Sequence, residues 1–258
     1  MISTIDFEIP ELRNLKKPIK KLFYKGNIKL LKKPKISIVG TRRTLNYTQF
    51  ATHQLASKLS FAGNCIVSGG AIGVDAISHK AAGTNNTILV SPCGLNHRYP
   101  AINKKLIEEI EQQGLILSSF DEDFKSTRYS FVLRNEIVVA LGDILIVTQA
   151  DLNSGSLRSV EYALKMGKEI FVLPHRINES QGTTLLAKNG LAKVIYDIDE
   201  FVEQYAKTPI KEEKEDSFLE YCKKNPAYEE AIIKYDSLVY EYELTGKIKI
   251  KNGFITLP

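Results

Sequence analysis

The sequence predicts an α/β fold built on a largely parallel sheet with helices on both faces, and three observations predict it. Short apolar runs recur near 36–39, 65–67, 87–90, 115–117, 143–147, 169–173 and 192–196. Segments long enough for crossover helices lie between most of them, including 46–62, 74–82, 101–113 and 157–166. Two of the runs end in glycine turns, at Gly40 and at Gly69-Gly70, where a strand should hand over to a helix. Continuous apolar strands suit burial on both faces, and parallel pairing requires such crossovers.

The elements follow in order. Residues 1–34 read as a short basic lead-in, with Pro10, Pro18 and Pro34 interrupting any long helix. From Arg13 to Lys35 the charged residues are all Arg or Lys, with no Asp or Glu among them. Such a stretch attracts phosphate polymers through a salt-screened field, or simply keeps a lysine-rich surface soluble. Residues 35–206 hold the strand–helix alternation, with Asp143-Ile144-Leu145-Ile146-Val147 as the best candidate for its central strand.

The alternation stops near 205, and residues 207–216 read as a linker because they are charged, contain Pro209 and lack apolar anchors. Residues 217–258 resume helical spacing around Phe218, Leu219, Cys222, Tyr228, Ile232 and Ile233. A further helix over Leu238–Thr245 would end at Gly246, and two β-like fragments then flank Asn252-Gly253. Helices followed by an Asn-Gly hairpin suggest a small winged-helix-like domain, with a helical cap on the main domain as the competing account. Glu241 and Glu243 make a poor face for insertion into a duplex groove, which favours a partner-contact or modulatory role for this segment.

The chain of 258 residues, 43% of them hydrophobic, suffices for one large domain or a medium one with a small appendage. No run approaches bilayer-spanning length, and the N-terminus has no secretory pattern. Cys65, Cys93 and Cys222 have no metal-ligand spacing, and an odd thiol suits a reducing cytoplasm. The formal charge is +5, and 12 tyrosines and 11 phenylalanines offer stacking surfaces despite the absence of tryptophan.

Binding chemistry is expected at three turns. After Gly40, a helix start would present unpaired N–H groups, with Arg42 or Arg43 adding a bidentate grip on phosphate. Ser68, Gly69, Gly70 and Gly73 permit close backbone approach to an anion, with Asp75 either favouring the first helical turn or orienting the loop. Ser154, Gly155 and Ser156 follow the 143–147 strand and can cap a helix while meeting a phosphate. A parallel sheet brings all three to one edge, an arrangement that suits the successive phosphates of a strand. Arg128 to Asn135 adds cations and aromatics. Phe131 either stacks on a base or packs on the sheet, and Arg134 either binds phosphate or braces the neighbouring loops.

Cofactor and catalytic readings fare worse. The GGxxG spacing is not the dinucleotide fingerprint, no acidic ribose ligand follows near Val90, and no Gly-Lys-Ser or Gly-Lys-Thr occurs. His53, His79, His97 and His175 are scattered, so neither metal nor cofactor is expected. Cys93 lacks an evident base and reads as a small side chain at a turn. Asp75, Asp151 and Glu161 are the acids that could gather for hydrolysis, Glu161 foremost, but no catalytic residue is expected.

An ordered series of motifs then resembles the bacterial DNA-processing protein A family, also called Smf. It comprises IVGTRR at 38–43, SGGAIGVD at 68–75, SPCGLNHRYP at 91–100, FVLRN at 131–135, SGS at 154–156 and FVLPHRINESQGTTLL at 171–186. Tyr24-Lys25-Gly26 resembles the family's lead-in, and Tyr242–Ile248 its small C-terminal domain. The resemblance implies an extended Rossmann-like domain that binds single-stranded DNA, protects it during natural transformation, helps load the RecA recombinase and forms a homodimer. It has no established catalytic reaction. It places the DNA site at Arg42, Arg43, Ser68, Gly69, Gly70, Arg128, Phe131, Arg134, Ser154, Gly155 and Ser156. Three departures stand out. The segment before Lys35 is too short for the extra N-terminal helical domain of many relatives, Glu136 replaces an arginine, and Ser119 replaces a glutamate. The alternatives are a nucleotide-metabolising enzyme on a related fold and a protein-interaction module.

Overall fold

The computed structural model describes residues 2–206, 217–235 and 237–257. The expected linker at 207–216 lies outside them. The chain divides into two compact units, Met1–Pro209 and Ile210–Pro258.

The first unit runs β1 (Ser3–Thr4), β2 (Phe23–Gly26), β3 (Lys35–Val39), α1 (Asn46–Phe61), β4 (Cys65–Ser68), α2 (Val74–Ala82), β5 (Thr87–Val90), α3 (Lys104–Gln113) and β6 (Leu115–Ser118). It continues with α4 (Arg128–Leu141), β7 (Ile144–Val147), α5 (Gly155–Lys165), β8 (Ile170–Val172), α6 (Gln181–Lys188), β9 (Lys193–Val194) and α7 (Ile198–Tyr205). The nine strands form one sheet in the order β1-β2-β6-β5-β4-β3-β7-β8-β9. From β6 to β9 every pairing is parallel, whereas β1–β2 and β2–β6 are antiparallel. This is the α/β, mostly parallel class that the alternation of strands and helices predicts, and the Rossmann-like fold that the resemblance implies.

Period-2 alternation inside buried strands divides the core between two faces. Ile36, Ile38, Ile66, Ile144 and Ile146 pack with Leu55 and Leu59 of α1 on one side. Val39, Val67, Leu145 and Val147 pack with Ile137–Val139 and Leu141 of α4 and Val160 of α5 on the other. Burying each such side chain contributes roughly 1.5–3 kcal/mol, so the interior parallel strands are held on both faces.

Two details differ from the sequence reading. The 143–147 run is an interior strand, β7, but the middle of the parallel set is β3. Apolarity reports burial on both faces, and all of β3 to β7 are fully buried. The basic lead-in is also part of the sheet: Phe23–Gly26 pair with Leu115–Ser118, and Ile9, Leu22, Leu30 and Leu31 are buried in the core. Some cations of the Arg13–Lys35 stretch are paired with acids, Arg13 with Glu8, Lys25 with Glu111 and Lys35 with Glu11.

The second unit contains α8 (Ser217–Cys222), α9 (Tyr228–Tyr235) and α10 (Ser237–Leu244), then β10 (Lys249–Lys251) paired antiparallel with β11 (Phe254–Thr256). Asn252 and Gly253 both have positive φ, 50° and 80°, as a tight two-residue hairpin turn requires. Phe218, Cys222, Ala231, Val239, Tyr242, Ile248 and Ile255 make its own apolar core. Among the described residues, no helix is long and apolar enough to cross a membrane.

Candidate nucleic-acid interface

The carboxyl ends of the parallel strands share one edge, and the chain departs in opposite directions from the neighbours β3 and β7. Such a switch point opens a crevice. Three turns are laced together around it. Thr41 donates its N–H to Gln149 O at 2.8 Å, and Val74 donates to Thr41 O at 3.2 Å. Gly73, at φ 80°, sits so close that a Cβ would lie 2.4 Å from Thr41 O and 2.8 Å from Arg42 Cα. The first turn and the start of α2 therefore meet only because residue 73 has no side chain.

The fourth wall comes from α4. Thr127 and Ser130 form a reciprocal capping box that fixes where the helix begins. Phe131 and Arg134 then fall on one face, three residues apart. The Phe131 ring has two guanidinium groups against it, Arg42 at 5.7 Å and Arg134 at 5.9 Å from its centroid, with Tyr99 edge-on at 5.5 Å. Sequence alone gave these residues no element, because Ile137–Leu141 is buried all round and shows no helical stripe.

Arg134 is buried and reaches Asp75, Nη1 to Oδ2 at 3.6 Å. A Cβ on Gly69 would lie 0.9 Å from Arg134 Nη1, so the guanidinium occupies the space a side chain would take. Burial pushes the Asp75 carboxyl up, opposed by the Arg134 charge and by hydrogen bonds from the 68–71 turn. Burial likewise pulls Arg134 down, opposed by Asp75. Asp75 accepts from Ala71 N–H at 3.3 Å, so it orients the glycine loop as well as sitting in the first turn of α2. Behind it, His79 is buried, shares a 2.7 Å hydrogen bond with Thr87 Oγ1, and has its pKa pushed down to about 3.

The result is a cleft of about 360 Å³ whose lining includes Arg42, Arg43, Phe131, Arg134, Ser154, Gly155 and Ser156. These are seven of the residues expected at the DNA site. Ser154 is the N-cap of α5 but makes no capping bond, leaving the helix N-terminus without a side-chain cap. Ser68, Gly69 and Gly70 are buried behind the cleft, and the Ser68 hydroxyl donates to Ile38 O at 2.6 Å. They shape the wall because the strand end is covered by Arg134 and Leu89. Arg128 is exposed at the start of α4, outside the lining. Sequence reasoning missed Asn135 and Ser159, which also line the cleft. Adjacency to Arg134 and one helical turn from Gly155 were the available signals.

Two exposed guanidiniums, a buried one, an uncapped helix end and an aromatic ring suit phosphates and base faces. The acids suggested for hydrolysis are placed elsewhere or already paired. Glu161 pairs with Arg158 on the exposed side of α5, and Asp75 is held by Arg134. Among the described residues, no group of His, Cys, Asp or Glu could hold a metal ion. Cys93 is buried beside Ser91 Oγ at 3.3 Å, and burial pushes its thiol up.

Residues 1–206 match the family model of DNA recombination-mediator protein A. The chain belongs to this family. It is 33% identical over 198 residues to DNA processing protein DprA of Bacillus subtilis, covering 75% of this chain and 66% of that protein. Against DprA of Streptococcus pneumoniae it is 36% identical over 178 residues, covering 67% of this chain and 62% of that one. The chain thus spans slightly less than two thirds of the length of these curated relatives. A solved structure of DNA processing protein A from Helicobacter pylori, a study of its single-stranded DNA binding mode, superposes with a TM-score of 0.77 at 46% identity. It covers 79% of this chain and 94% of that one. The X-ray structure of the pneumococcal protein gives a TM-score of 0.73 at 31% identity, covering 79% and 74%.

Proposed function

We propose that the protein binds single-stranded DNA through its backbone, in the cleft between the turns after β3 and β7. The observation that carries this is Phe131 with the Arg42 and Arg134 guanidiniums 5.7 Å and 5.9 Å from its ring centroid, in the cleft that the uncapped start of α5 also lines. That pairing of a stacking ring with phosphate-binding groups is what an unpaired strand requires and a buried duplex base cannot use. Similarity to the H. pylori protein, whose study describes single-stranded DNA binding, supports the same reading. Ser68, Gly69 and Gly70 act from behind by placing Arg134, and Arg128 adds a cation one turn before Phe131.

Membership of a recombination-mediator family supports the wider role. The protein protects incoming DNA and hands it to the RecA recombinase during natural transformation, working as a homodimer. Its three cysteines are buried, which suits the reducing cytoplasm. Binding is its activity, without a catalytic step or a cofactor. The second unit is a winged-helix-like module that contacts a partner or modulates binding. Fluorescence anisotropy should show tighter binding to a single-stranded than to a duplex oligonucleotide, weakening as salt rises. Well-folded protein that binds neither at low salt would overturn the reading. Turnover of nucleotides abolished by a cleft substitution would favour the enzyme alternative instead.

A further inference from the structure

A second cleft opens on the same edge of the sheet and has no role so far. It encloses about 680 Å³, within the ligand-sized range of about 300–1,000 Å³. Thr44–Tyr47 line one side, and Pro174, His175, Arg176 and Glu179, from the loop after β8, line the other. The two clefts meet at one loop: Arg43 lines the first and Thr44 the second. Gln149 at the end of β7 fastens that loop, accepting from Leu45 N–H at 3.0 Å and donating to Arg43 O at 3.5 Å. His175 is fixed as well, its Nε2 donating to Thr148 O at 2.8 Å, and Tyr47 stands edge-on to it at 5.6 Å. Tyr47 is 45% exposed, Arg176 is exposed, and the first turn of the sixteen-residue α1 has no acidic residue and no side-chain cap.

We propose that the bound single strand continues from the first cleft over Arg43–Leu45 into this second one. There Tyr47 stacks on a base, while Arg176 and the open end of α1 take a phosphate. The inference rests on the single-strand reading above. Two features argue for continuity over a separate small-molecule site. The clefts are adjacent on one loop, with Arg43 in the first and Thr44 in the second. The loops after β3 and β8, which form the two sides of the second cleft, are two strands apart, about 10 Å, a width that about three stacked nucleotides span. Glu179 is the one acid among the described lining residues, and it opposes the strand's charge.

The test titrates homothymidine strands of increasing length, from about 4 to about 16 nucleotides, against the full chain. Tyr47→Ala and Arg176→Gln should leave the shortest binding strand unaffected and weaken the longest about tenfold. Glu179→Gln should strengthen the longest severalfold at low salt. Arg42→Ala, in contrast, should weaken strands of every length. Benzoylphenylalanine in place of Tyr47 should cross-link long strands and spare short ones. If Arg176→Gln and Tyr47→Ala bind all lengths like the parent while Arg42→Ala loses them, the second cleft is off the path and the first remains. If the parent binds no strand, the underlying reading fails first. A change of oligomeric state in Arg176→Gln, with DNA affinity kept, would make the cleft a contact between copies and overturn the proposal.

Discussion

Arg134 and Asp75 face each other beneath the cleft, Nη1 and Oδ2 3.6 Å apart, with side chains only 6% and 9% exposed. Arg134 thereby stands under the Phe131 ring, and Asp75 holds the glycine turn. A single ion pair links the wall from α4 to the wall from α2.

Removing one partner leaves the other charge buried. Asp75→Ala should therefore cost about 3–5 kcal/mol, read as a lower urea midpoint with an unchanged slope. Replacing the pair together, Asp75→Leu with Arg134→Met, should recover most of that stability while leaving DNA affinity reduced. Equal stability of Asp75→Ala and the parent would show the pair to be incidental.

Arg42 and Arg43 are exposed, so their loss should be felt in binding and hardly in folding. Each to alanine should weaken single-strand binding and lower the slope of log affinity against log salt by about 0.7 for every phosphate no longer neutralised. Unaltered slopes in both variants would remove these arginines from the backbone-binding groups.

Phe131 is only half-buried, and its ring packs on Arg42, Arg134 and Tyr99, with no place in the sheet core. Phe131→Ala should cost about 1–3 kcal/mol of binding, the range for one base stacked on an aromatic. Its melting temperature should stay near that of the parent. A large drop in melting temperature with affinity retained would instead assign the ring to packing.

His79 makes folding sensitive to acid. Burial holds its pKa at about 3 against an ordinary 6.5, with the Arg134 charge adding to the effect. Above about pH 6.5 neither folded nor unfolded chain carries the proton, and this contribution is complete. As pH falls below 6.5 the unfolded chain gains a proton the native state refuses, so about 2 kcal/mol is lost by pH 5. Asp75 works oppositely: raised by burial, its contribution is full below its ordinary 3.8 and lost as pH rises through its folded value. The difference between the parent and His79→Gln isolates the histidine. That variant should lose less stability between pH 7 and pH 5, and parallel curves would refute the assignment.

A chain ended near Lys207 should stay folded and keep most of its affinity for a short single strand, because every described residue lining the first cleft precedes that point. A loss above about 1.4 kcal/mol, roughly tenfold, from a normally folded truncation would make the second unit part of the DNA site.

Much of this was already determined by the sequence. The apolar runs mark strands whose two faces must both be buried, and the intervening segments are long enough for the crossovers that parallel pairing needs. Glycine at 73 marks a place where backbones touch, and the ordered motifs identify the family. Those signals are local, or depend on spacing along the chain. Tertiary structure decided what depends on residues distant in sequence coming together. It brought Arg134 into the space beside Gly69, made Asp75 its counter-charge, and turned Ser68 into the core. It also drew the lead-in into the sheet and paired its Lys25 with Glu111. Whether a charged side chain is free for a ligand depends on which partner it meets, and sequence spacing does not contain that distance.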